Sequence, residues 1–109
     1  MVRSLSAQHN GAVYQLNDRQ ILIGRDVANC TVVFQKGTPG VSSKHCSLSY
    51  DKSTGEFILT DLKSTYGTFL MNGQKLTAGM SCRLKPGDQF YMGSNANLLR
   101  VEVNNSVTG

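Results

Sequence analysis

Apolar or alternating runs recur about every eight to twelve residues along this chain. They cover residues 2–7, 11–15, 20–23, 31–34, 45–50, 57–61, 67–71, 81–84, 89–92 and 98–103. Thr31-Val32-Val33-Phe34 is β-branched and apolar, and Leu98-Leu99-Arg100-Val101-Glu102-Val103 is apolar with an alternating end. Both suit a pleated, half-buried strand. Turn-forming clusters separate the runs: His9-Asn10-Gly11, Asn17-Asp18-Arg19, Lys36-Gly37-Thr38-Pro39-Gly40, Ser53-Thr54-Gly55, Asn72-Gly73, Pro86-Gly87-Asp88 and Gly93-Ser94-Asn95. No window sustains the period of an amphipathic helix. The rhythm predicts an all-β sandwich or barrel. Asn72-Gly73 suits a tight hairpin turn with positive φ, and Pro86-Gly87-Asp88 a turn that leads into a strand.

The 109 residues make one domain, expected to span 1–104, with a small polar tail at 105–109. A chain of this size buries roughly two-thirds of its unfolded surface and holds a core without staples. Its 39% hydrophobic and 17% charged residues exclude a disordered tail. No apolar run approaches the roughly 18 residues that span a bilayer, and the first residues carry no long apolar segment of a secretory signal. The expectation is a protein that neither crosses a membrane nor is exported.

Cys30, Cys46 and Cys82 are odd in number and form no Cys-x-x-Cys pair, so neither a zinc site nor a disulfide framework fits. Free thiols, each packed as a small hydrophobe in a reducing cytoplasm, are the expectation. No cofactor is implied. The net charge of +4 favours an anionic partner, but the Lys and Arg residues are dispersed and form no nucleic-acid-binding block.

Three loops carry the candidate chemistry. In Ile21-Leu22-Ile23-Gly24-Arg25 an apolar strand ends, a glycine permits a bend and an arginine stands at the rim. The planar guanidinium makes paired, charge-assisted bonds to phosphate and never loses its proton. In Gly37-Thr38-Pro39-Gly40-Val41-Ser42-Ser43-Lys44-His45, a stiff loop ends in two hydroxyls and an ammonium. Successive backbone N–H groups of such a loop can hold an anion. In Ser64-Thr65-Tyr66-Gly67-Thr68, small hydroxyls precede a glycine and a strand. A phosphate-cradling loop of the Gly-x-x-x-x-Gly-Lys-Ser/Thr kind is absent.

A serine beside His45 invites comparison with a nucleophile and its base. The sequence offers neither an orienting acid nor an oxyanion hole, so catalysis is not expected. His45 reads instead as a clamp that bonds neighbouring backbone or hydroxyl groups.

These motifs together resemble the forkhead-associated (FHA) domain, a phosphothreonine-peptide module. Its pattern runs Gly-Arg, then Ser-x-x-His, then Ser-x-Asn-Gly-Thr-Phe, then a second Asn-Gly. Here Gly24-Arg25, Ser42-Ser43-Lys44-His45, Ser64-Thr65-Tyr66-Gly67-Thr68-Phe69 and Asn72-Gly73 follow in that order. Asp61-Leu62 and Pro86-Gly87-Asp88 also look like family features. The similarity runs from about Ile21 to Val103.

The resemblance implies a β-sandwich of about eleven strands in two twisted sheets, with binding loops at one end. It implies that Arg25 and Ser42 contact phosphate, that Thr65 bonds phosphate or fixes the phosphothreonine, and that Ser43 and Lys44 reach phosphate or peptide. Gly24, His45, Gly67 and Thr68 fall on scaffold positions, with His45 supporting the loop of Gly67 and Thr68. It also implies a signalling or scaffolding domain fused to others in a larger protein, taking a phosphothreonine-bearing protein or peptide. A phosphothreonine brings about −1.5 to −2 charges and three acceptor oxygens to such a site.

The sequence departs from the pattern in three places. Tyr66 replaces the usual Asn, which grips the peptide main chain, and offers a flat ring instead. Ser43 stands where many members have Arg, with Lys44 beside it. The segment 69–73 is one residue longer than the common version. The first two departures keep a phosphate-independent scaffold or self-association domain in play. A nucleic-acid-binding β-domain is the weaker alternative, because the Tyr and Phe residues are scattered and form no stacking platform.

Overall fold

The computed structural model describes residues 1–16 and 20–103. The turn expected at Asn17-Asp18-Arg19 and the tail at 105–109 lie outside the described residues. Among the described residues, eleven strands form two sheets: β1 (Val2–Ser4), β2 (Val13–Tyr14), β3 (Ile21–Gly24), β4 (Val32–Val33), β5 (Cys46–Asp51), β6 (Glu56–Asp61), β7 (Thr68–Leu70), β8 (Lys75–Leu76), β9 (Ser81–Leu84), β10 (Gln89–Met92) and β11 (Leu98–Val101). One turn of 3-10 helix, Asn95–Asn97, precedes β11. The six-stranded sheet runs β2-β1-β11-β10-β7-β8 and the five-stranded sheet runs β4-β3-β5-β6-β9.

Alternation in the sequence becomes alternation in burial. In β6, Phe57, Leu59 and Asp61 are buried while Glu56, Ile58 and Thr60 are partly exposed. Leu48 pairs with Leu59, and Phe57 with Leu84, so inward residues line up across strands. The other sheet sends Val2, Phe90, Met92 and Leu99 to meet them, all at 0% exposure. Each such side chain contributes about 1.5–3 kcal/mol by leaving water. Among the described residues the cysteines are free, with Cys30 and Cys46 buried.

β8 is the strand that no run announces. It has one inward residue, Leu76, and one outward residue, Lys75. The preceding turn forms it. Gly73 N–H donates to the Leu70 carbonyl at 3.0 Å, and Leu70 N–H donates to Gln74 at 2.9 Å. Gly73 sits at φ 95°, where a side chain would be strained.

Register gathers the candidate loops. Ile23 faces Cys46, and Cys46 faces Asp61, so the end of β3, the start of β5 and the end of β6 lie side by side. Met92 faces Thr68, which joins the end of β10 to the start of β7. The loops 25–31, 34–45, 62–67 and 93–97 therefore emerge at one end of the sandwich.

Candidate functional site

Gly24 ends β3 against the backbone of Ser42 and Ser43. A Cβ there would collide with the Ser43 carbonyl oxygen and lie 2.9 Å from that of Ser42. The close approach lets Arg25 N–H donate to Ser43 at 2.9 Å and lets Asp26 N–H donate to the same carbonyl at 3.0 Å. Arg25 Nε–H donates to the Val41 carbonyl at 2.6 Å. That bond fixes the plane of the guanidinium, and no described residue accepts from its two terminal nitrogens. Ser43 is held by its carbonyl and keeps an exposed side chain. Lys44 Nζ stands 4.0 Å from Asp26 Oδ2 with a side chain 53% exposed.

His45 is fully buried and uses both ring nitrogens. Ser42 N–H donates to Nδ1 at 3.0 Å. A backbone amide cannot accept, so Nδ1 carries the lone pair and Nε2 carries the proton. Nε2–H then donates to the Gly67 carbonyl at 2.9 Å. One neutral ring thus ties the 42–45 segment to the 62–67 loop. Burial lowers its pKa below the ordinary histidine value, against smaller opposing pulls from the Gly67 carbonyl and the Asp61 charge.

The same two loops meet again at Ser42, whose Oγ accepts from Thr65 N–H at 3.0 Å. With that lone pair occupied, the Ser42 hydroxyl hydrogen is directed elsewhere. The arrangement also removes a Ser–His dyad. Ser42 meets His45 through its backbone N–H, not its hydroxyl, and the ring is held by Gly67 on its other side. Among the described residues no cluster of His, Cys, Asp or Glu could hold a metal ion.

Asp61 was visible in the sequence only as part of a family-like dipeptide, and its role is larger. It is buried at 0% exposure. Its carboxylate accepts from Ser64 Oγ at 2.6 Å, Ser64 N–H at 3.0 Å and Thr68 Oγ at 2.8 Å. Burial is the largest single influence and pushes its pKa up, but the bonds from Ser64 and Thr68 together outweigh it and hold it low. Ser64 Oγ in turn accepts from Gly67 N–H at 2.9 Å. Thr68 is therefore an anchor of the third loop. Hydroxyls at the third and seventh positions after a lone Asp are the signal that points to it.

A cleft of about 630 Å³ opens between these loops, lined among others by Arg25, Pro39, Val41, Ser42, Thr65 and Tyr66. Thr65 is exposed and Tyr66, 61% exposed, stands at the rim. Among the described residues no carboxylate lines the cleft. The 37–41 segment forms one wall and Gly93-Ser94 another. A Cβ on Gly40 would lie 3.0 Å from the Cα of Gly93, so these two backbones touch because neither residue has a side chain. The sequence marks both segments as turns and gives no sign that they meet. The arrangement suits an anion of phosphate size, with a cation and oriented hydroxyl and amide groups on one side of an open cleft.

A sequence model of the FHA domain matches residues 21–93. Sarcolemmal membrane-associated protein of Oryctolagus cuniculus is 36% identical over 83 residues, which cover 70% of this chain and 11% of that protein. The human protein of the same name matches equally, over 10% of its length, so the chain spans about a tenth of these curated relatives. Among solved structures, the FHA domain of CT664 from Chlamydia trachomatis superposes with a TM-score of 0.76 at 18% identity, covering 94% of this chain and 96% of that one. The N-terminal FHA domain of Rad53p from S. cerevisiae, solved with a phosphothreonine peptide, superposes with a TM-score of 0.71 at 22% identity, covering 97% and 95%. The family match takes in all three site loops, and the fold extends it to both ends of the sandwich: the chain belongs to the forkhead-associated domain family.

Proposed function

We propose that this chain is a phosphothreonine-dependent protein-interaction domain. Arg25 and Ser42 take the phosphate, Thr65 fixes the phosphoresidue, and Ser43, Lys44 and Tyr66 border the peptide. One observation carries the reading: two acceptors beside Arg25 at the cleft are already used internally. Val41 O holds Arg25 Nε, and Ser42 Oγ holds Thr65 N–H. What remains at the surface is the guanidinium edge and the Ser42 hydroxyl hydrogen, with the Lys44 ammonium nearby but shared with Asp26 at 4.0 Å, a set that attracts a dianion. The peptide bound to the Rad53p domain, which has the same fold, supports this choice of ligand. The domain serves a signalling or scaffolding role inside a larger cytoplasmic protein, with no cofactor and no nucleic acid.

The test is a titration with oriented peptide libraries in phosphothreonine, phosphoserine and unmodified forms. Selective binding of the phosphothreonine form is expected. Arg25→Ala should weaken it by about 2–3 kcal/mol, since bonds to charged groups contribute about 1.5–3 kcal/mol each. That is roughly thirty- to 150-fold in Kd. Equal binding of all three forms would replace this reading with a phosphate-independent scaffold. Tight, salt-sensitive binding of an oligonucleotide would replace it with a nucleic-acid domain.

A further inference from the structure

The loop that walls the cleft is held from outside the family core. Segment 35–41 has three external fastenings besides Arg25. Gln8 Nε2 donates to Thr38 Oγ at 2.9 Å. Gln8 Oε1 accepts from Gln35 N–H at 2.8 Å, so one side chain grips both ends of the Gln35–Thr38 turn. That turn is closed internally by Thr38 N–H and Oγ–H donating to the Gln35 carbonyl, at 3.0 and 2.6 Å. Asn97, 4% exposed, uses one amide nitrogen twice, donating to the Pro39 carbonyl at 3.2 Å and to the Met92 carbonyl at 2.9 Å. The third fastening is the backbone contact of Gly40 with Gly93. Gln8 and Asn97 both lie outside residues 21–93.

These fastenings converge on Val41. Its carbonyl follows directly from Pro39 and Gly40, and it receives the 2.6 Å bond from Arg25 Nε. A guanidinium is planar, so fixing Nε–H fixes the direction of both terminal nitrogens. A shift of the loop turns the Val41 carbonyl and re-aims the arginine. Neither Gln8 nor Asn97 lines the cleft.

We propose that Gln8 and Asn97 are positioning residues of the binding cleft, acting through segment 35–41 and the Val41 carbonyl to aim Arg25. The role rests on the phosphothreonine reading for its effect on affinity, and on geometry alone for its effect on Arg25.

Two measurements test it on the whole chain. The first follows solvent exchange and chemical shift of the Arg25 Nε–H by NMR without ligand. Gln8→Ala and Asn97→Ala should each speed exchange and move the signal. Gln8→Glu keeps the acceptor for Gln35 and loses the donor to Thr38, so it should fall between Gln8→Ala and the unaltered chain. The second titrates the oriented phosphothreonine library. Each Ala variant should weaken binding about three- to tenfold, the loss expected for one net hydrogen bond. Gln8 is exposed and its two bonds hold one surface loop, so its variant should stay folded at the titration temperature, where a merely structural role would leave binding unchanged. An unchanged Arg25 Nε–H in Gln8→Ala overturns the proposal. So does parent-like affinity in that variant where Arg25→Ala weakens binding as expected. If the unaltered chain binds no phosphothreonine peptide, the functional reading fails while the Nε–H measurement still decides the positioning role.

Discussion

Replacing Gly24 with alanine tests how tightly the site is built into the fold. The added methyl would meet backbone, not a flexible side chain. Its Cβ overlaps the Ser43 carbonyl oxygen, with the Ser43 carbonyl carbon at 2.8 Å and the Ser42 oxygen at 2.9 Å. Relieving the overlap takes a movement of about 1 Å. Overpacking of a well-packed site costs about 1–3 kcal/mol. The segment that must retreat also accepts two backbone bonds, from Arg25 at 2.9 Å and Asp26 at 3.0 Å. Losing or stretching one adds about 1 kcal/mol. The expected loss is therefore about 3 kcal/mol, below the usual 5–15 kcal/mol stability of a domain, so the variant remains folded. Urea unfolding followed by circular dichroism measures it, since the chain has no tryptophan. Phosphopeptide affinity should fall as well, because Ser42 retreats with Ser43. A loss under about 1 kcal/mol, with Arg25 and Asp26 amide signals in place, would refute the reasoning: the 42–43 segment would then yield without cost.

Acid should loosen the same scaffold through His45. Its folded pKa lies below the unfolded value near 6.5, so the unfolded chain takes up a proton first as pH falls; the His45 contribution is complete above about pH 6.5, declines below it, and levels off once the folded ring is also protonated. Urea midpoints between neutral and mildly acid pH, beside an NMR titration of the His45 ring, measure this; a ring that titrates at or above the ordinary value would contradict it. Tyr66→Asn returns a side-chain amide to the rim and should strengthen phosphothreonine-peptide binding about fivefold, the scale of one added hydrogen bond. Titration calorimetry checks it, and unchanged affinity would show that no main-chain clamp forms there.

The strands were legible where an apolar residue recurred at every second position. Ser81–Leu84 and Gln89–Met92 fall where the sequence puts them. β8 was not legible, because one buried Leu76 has no neighbour to alternate with. Gly24, Arg25, Ser42 and His45 stood out because each needs a special residue type: no side chain, a permanent cation, a hydroxyl, a two-sided donor and acceptor. Their partnerships did not stand out. Val41 contributes only a carbonyl, which every residue has; Gly67 stood out only through the family pattern, and its carbonyl bond to His45 did not. The meeting of Gly40 with Gly93 and the grip of Asn97 on Pro39 join distant parts of the chain. Local pattern cannot encode them, since they follow from sheet order.

The division between scaffold and contact residues follows from where acceptors are spent. Carbonyl oxygens repel a phosphate, and a loop end exposes many. Here Val41 O receives Arg25 Nε, Ser43 O receives two amides, and Gly67 O receives His45 Nε2. Asp61, the buried carboxylate among the described residues, is surrounded by donors from Ser64 and Thr68. Each bond removes an acceptor from the anion's view and fixes a donor at the same time. The ordering cost is met on folding, so little remains to be met on binding. It follows that stability and affinity separate by residue. Removing Gly24, His45 or Asp61 disturbs both, because each holds a loop. Removing the Arg25 guanidinium takes away one bond to Val41 in the free domain, yet it takes away the permanent cation that the dianion would meet.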